Sequence, residues 1–292
     1  MTTIEAFVKR HPVLTYYGLT FAISWGAIFT LIGSRGIPAT KEQFNMVRPV
    51  AIVAMLGGPS AAGILLTGLA DGRAGFRELR SRLLKWQVGG RWYAVALLAA
   101  PLVLAASLIA LSLISPGFPP SIFATDDKAP LLLMGIISGV MVGICEELGW
   151  TGFALPRLRL RYSILTTGLM MGALWGAWHI ASHAVLASGT YSAPLSPALY
   201  VVARVLALLL GPLLAFRVLM VWVYDRTGSL LVAMLMHFSY TASTIILEPL
   251  AISGVPLLIY DLVSAAMVWA VVAAVAVANG GRLERGIVGR TR

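Results

Sequence analysis

A chain of 292 residues that is 59% hydrophobic and only 12% charged, with a mean hydropathy of +0.86, is excluded from the class of water-soluble globular domains. Its formal net charge of +10 would suit a nucleic-acid binder. The basic residues, however, are dispersed over short segments between apolar runs, where they act as topology signals and attract anionic lipid, so no nucleic-acid partner is expected. A hydrocarbon core of roughly 30 Å is crossed by about 20 apolar residues. Eight such stretches lie near 14–33, 49–70, 92–115, 130–153, 164–187, 199–222, 229–247 and 256–279. The expected fold is all-α: a polytopic membrane helix bundle of about eight transmembrane helices, forming a single integral membrane domain over residues 1–292. The first stretch is too long for a secretory signal and has no small-x-small cleavage site before Arg35, so it is read as a retained helix.

Eight spans put both termini on one side of the membrane. That side collects Lys9, Arg10, the six basic residues from Arg73 to Arg91, Arg157, Arg159, Arg161, Arg226 and arginines 282, 285, 290 and 292. The other side has Arg35, Lys41, Arg48 and Lys128, while Arg204 and Arg217 fall inside spans. The excess places the termini in the cytoplasm of a multi-pass protein of the cell membrane. The single cysteine, Cys145, excludes an intramolecular disulfide and reads as a small residue packed between helices.

Three acidic residues lie inside spans. Asp261 is close enough to the start of the last helix to reach the outer interface. Glu146 and Glu147, in "GICEELGWTG", are about 24 Å along a helix that starts near Pro130, in its cytoplasmic half. A centrally placed acid costs roughly 2.5 to 3.5 kcal/mol on insertion, so such a pair points to function. Three of the four histidines, His179, His183 and His237, also fall in spans. His179 and His183 share a helical face at i, i+4, but the intervening "IAS" lacks the glutamate of a zinc-protease helix. Neighbouring helical residues point about 100° apart, so one glutamate should face the chemistry and the other a supporting partner. Glu147 and Thr151, and likewise His237 and Thr241, are spaced to hydrogen-bond.

These residues resemble the CPBP or Abi family of intramembrane proteases, which includes the type II CAAX prenyl endopeptidase. "EELGWTGFALPRL" is similar to the family's glutamate motif at Glu146, Glu147 and Gly152; "WGAWH" to its aromatic-histidine motif at Trp175 and His179; and "HFSYT" to its second histidine motif at His237. The signature region covers about residues 140–245. Thr151 stands where the family usually has arginine, and Thr241 where it usually has asparagine; Arg217, deep in the sixth span, is a candidate substitute for the first. The resemblance implies a protease with catalytic residues Glu146, Glu147, His179 and His237, supported by Thr151, Trp175 and Thr241. Glu146 would activate a water that attacks a peptide bond near the cytoplasmic leaflet, with Glu147 orienting the site. It also implies either a divalent metal such as zinc on Glu146, His179 and His237, or a metal-free glutamate site. Its partners would be membrane-embedded or lipidated peptide or protein substrates within the lipid bilayer. His183 lies outside the family pattern. For His179 to meet Glu146, residues 157–167 should run along the interface and the fifth helix should begin near Gly168. Two other readings stand beside this one: a noncatalytic family member acting as scaffold or immunity protein, favoured by Thr151 and Thr241, and a proton-coupled transporter, which the lack of internal repeats disfavours.

Overall fold

The structure, a computed structural model, describes residues 3–33, 41–192, 194–249, 252–280 and 283. Among the described residues there is no strand, and eight helices are long and apolar enough to cross a membrane: Pro12–Thr30, Ile52–Leu83, Gly90–Ser112, Lys128–Arg159, Ile164–His183, Pro197–Thr227, Leu230–Leu247 and Val255–Ala278. The fold is therefore the expected all-α polytopic bundle. Its spans follow the apolar runs because a backbone in hydrocarbon must satisfy its own hydrogen bonds.

Two spans carry a π-helical turn. The fourth passes through Trp150–Ala154 before ending at Arg159. The sixth passes through Leu209–Leu213, where Pro212 offers no N–H and Gly211 leaves helical geometry. The sixth and seventh spans are joined by two residues. Gly228 takes the left-handed conformation (φ 59°) that stops one helix, and the Ser229 hydroxyl accepts from Val232 N to start the next. This tight turn sets Arg217 and His237 at comparable depth on neighbouring antiparallel helices.

Small residues bring the site-bearing helices together. On the fourth span Gly135, Gly139 and Gly143 recur every four residues against the seventh; a Cβ on Gly143 would lie 2.7 Å from the Met234 carbonyl oxygen, and one on Gly139 2.8 Å from Phe238. On the fifth, Gly168 and Gly172 do the same against the sixth, with Val218 Cα only 2.7 Å from a Cβ built on Gly168. In lipid, where tails are as apolar as leucine, such close backbone approach drives association. The partly buried Cys145 gives its carbonyl to the Ser60 hydroxyl, as a packing residue would.

Candidate active site

The longer fourth span removes the depth conflict between Glu146 and His179. The helix runs on to Arg159 rather than stopping at 153, and the fifth starts at Ile164 rather than near Gly168. Both residues then lie about 20 Å from those ends. Between the two helices Leu160 and Tyr162 are exposed, while Arg157 pairs with Asp71 and Arg159 with Asp225.

The two glutamates diverge as the helical angle requires. Glu146 lines a cavity of about 380 Å³ together with Trp175, His179, His183, His237 and Thr241. One of its oxygens, Oε2, accepts from the indole N–H of both Trp150 (3.1 Å) and Trp175 (2.7 Å). Glu147 is fully buried and turned to protein partners. Arg217 donates to both its oxygens (2.9 and 3.0 Å), the Thr151 hydroxyl bonds to Oε2, and His237 Nδ1 meets Oε1 at 2.7 Å. The carboxylate is thus paired with a guanidinium and hydrogen-bonded on both oxygens, the condition under which a buried charge is tolerated.

Arg217 therefore does not reach for the interface. It is 0% exposed, and its Cζ lies 4.3 Å over the Trp175 ring. Trp175 is the hub of the site: beyond its bond to Glu146, its ring meets His179 and His237 edge-on at 5.3 and 5.2 Å. The spacing of Trp175 and His179 puts them on successive turns, and His179 Nδ1 donates back to the Trp175 carbonyl at 2.9 Å. With both Nδ1 atoms engaged, Nε2 is the ring nitrogen that His179 and His237 offer to the cavity.

The expected site residues fall into two groups. Glu146, Trp175, His179, His237 and Thr241 line the cavity, whereas Glu147 and Thr151 stand behind it. Trp150 is a participant that the sequence reading does not single out, and His183 is one that it leaves without a role. Trp150 supplies the second donor to Glu146, and His183, left outside the pattern, stacks on His179 at 5.0 Å within the same wall. Asp261 is a correction. Rather than reaching the outer interface it is 4% exposed, held by Arg204 at 2.9 Å, and Arg204 also binds Glu248 at 3.2 Å. Arg204 lies across on the sixth helix, and a buried carboxylate takes such a partner before it takes a long route to water.

A polytopic helical membrane protein with a buried glutamate, two histidines and an arginine-held second carboxylate is the class that fold and site define. Residues 128–243 match the family model described as Type II CAAX prenyl endopeptidase Rce1-like. A 57-residue segment is 35% identical to the CAAX prenyl protease 2 of Methanococcus maripaludis, covering 20% of this chain and 19% of that protein. The chain thus aligns with about a fifth of the length of this curated relative. Both matches support the CPBP family, and the first takes in all three motif helices.

The donor chemistry of Glu146, His179 and His237 suits a divalent ion, with each imidazole's Nδ1 engaged so that Nε2 is free. Their arrangement does not fit one: among the described residues no group of three or more His, Cys, Asp or Glu side chains is placed to hold a metal ion.

Proposed function

We propose that this protein is an intramembrane endopeptidase of the CAAX-protease-like type in which Glu146 is the general base. The observation that carries the reading is the split of the glutamate pair. Glu146 alone faces the cavity, with Oε2 fixed by two indole donors and Oε1 left for a water. Glu146 takes a proton from that water as its oxygen attacks the peptide carbonyl carbon. His237, braced through Nδ1 by Glu147, turns Nε2 toward the developing oxyanion, to which an N–H at that position donates, and His179 flanks it. Glu146 then passes the proton to the leaving amide nitrogen as the C–N bond breaks.

Arg217 supports activity in this chain despite Thr151, because it supplies from another helix the positive charge that Glu147 needs. The noncatalytic alternative rests on Thr241, which lines the cavity with a single short hydroxyl donor. Glu146→Gln separates the two readings, since the amide accepts the same indole bonds but cannot accept the water's proton. The protease reading expects cleavage of apolar or prenylated peptides to fall by about two to four orders of magnitude at unchanged expression. No cleavage by either protein beside an active control, or a cellular phenotype indifferent to the change, favours the scaffold, whereas equal cleavage by both would remove Glu146 as the base.

A further inference from the structure

The cavity has a direction. From Glu146 its walls follow His179 and His183 on the fifth span to Thr190, and Thr241 and Thr244 on the seventh to Glu248. Every described residue that lines it lies at the level of the site or beyond, toward the ends where the fifth and seventh spans finish. From His237 to Glu248 is 11 residues, or about 16 Å of helix. Among the described residues the cavity reaches the ends of these spans at Thr190 and Glu248, where the Glu248 side chain is 40% exposed.

The opposite end is sealed. Between the site and the loops that carry Arg82, Lys85, Arg157 and Arg159 stand Tyr16, Tyr17, Trp150 and Phe153, with Trp178 beside His179 and Met236 beside His237 at the level of the site, none more than 6% exposed. Their rings interlock, with Trp150 centred 5.5 Å from both tyrosines and 5.8 Å from Trp178. Among the described residues, none on that side of the site lines the cavity. The sealed end is the one that gathers the basic loops, which the charge bias assigns to the cytoplasm.

We infer that the site takes its substrate from the non-cytoplasmic face of the membrane. The substrate class is a peptide segment exposed or released on that face, in place of a chain end approaching from the cytoplasmic leaflet. The far end of the cavity agrees with an internal or basic segment rather than a free carboxylate. Arg204 is engaged by Asp261, Thr190 and Glu248, so two carboxylates face one guanidinium there.

This substrate class rests on the protease reading, but the direction of access can be measured without any cleavage. In a Cys145→Ala background, single cysteines are placed in the cavity wall (Thr244→Cys, Leu208→Cys) and at the basic end (Ser81→Cys). Full-length variants expressed at wild-type level are treated with a small, permanently charged methanethiosulfonate in intact spheroplasts and in inside-out vesicles, and modification is read by mass. The inference expects both wall cysteines to react in spheroplasts and Ser81→Cys to react only in inside-out vesicles. It is overturned if the wall cysteines react only in inside-out vesicles, if they react from neither side, or if Ser81→Cys reacts in spheroplasts. Correct labelling without cleavage by the wild type would remove the protease reading and leave the direction standing.

Discussion

The charge balance around Glu147 decides whether the two motif departures matter. Thr151 contributes a hydroxyl but no charge, and the compensating cation comes from Arg217, 70 positions away in the chain. Removing one partner of a buried pair leaves an uncompensated charge, which costs about 3–5 kcal/mol. Arg217→Met should therefore lower the melting temperature in detergent and suppress cleavage, because the Glu147 brace on His237 goes with it. Adding Thr151→Arg to that variant moves the cation back onto the glutamate helix. The double variant should recover a clear part of both properties; recovery of neither would show that Arg217 does not act through Glu147. Trp175→Phe probes the other glutamate. It keeps the ring between the histidines but removes the 2.7 Å indole bond to Glu146, so cleavage should fall while the melting temperature stays close to wild type. An equal loss of both would make Trp175 a packing residue only.

The helices show where packing, rather than hydropathy, positions the site. Gly143 sits against the Met234 carbonyl with no space for a methyl group, whereas a Cβ on Gly26 would meet nothing within 4 Å. Overpacking a filled contact costs about 1–3 kcal/mol. Gly143→Ala should accordingly lower the melting temperature and Gly26→Ala should not; equal effects would contradict the packing account. The same contrast explains what could be read in the sequence. The spans were legible because lipid demands about 20 apolar residues for each crossing, and the divergence of Glu146 from Glu147 follows from helical geometry alone. The extension of the fourth span to Arg159 was not, since a π-helical turn through Trp150–Ala154 carries the helix past the point where its apolar run breaks. Nor was the Arg204–Asp261 pair, because hydropathy gives the depth of a charged residue and not the neighbour that neutralises it. Arg217 was visible as a deep cation, but its assignment to Glu147 needed the fourth, sixth and seventh spans brought together.

At the scale of the whole molecule, the bilayer and the bundle isolate one polar site inside an apolar protein. An aromatic layer closes it toward the basic loops, and a cavity opens it the other way. No set of three metal-ligating side chains is gathered there among the described residues, and the proposed step uses only Glu146 and the histidines. Cleavage by purified protein should therefore persist after dialysis against a strong chelator; its loss, with recovery on adding zinc, would require a metal that draws these side chains together. The most direct test of the central claim is cleavage itself. Wild type and Glu146→Gln are incubated in detergent with a pool of apolar and prenylated peptides beside a proven active relative, and new termini are read by mass spectrometry. New termini from the wild type alone are the predicted result, while the same products from both variants, or none from either beside an active control, would contradict a glutamate-driven protease.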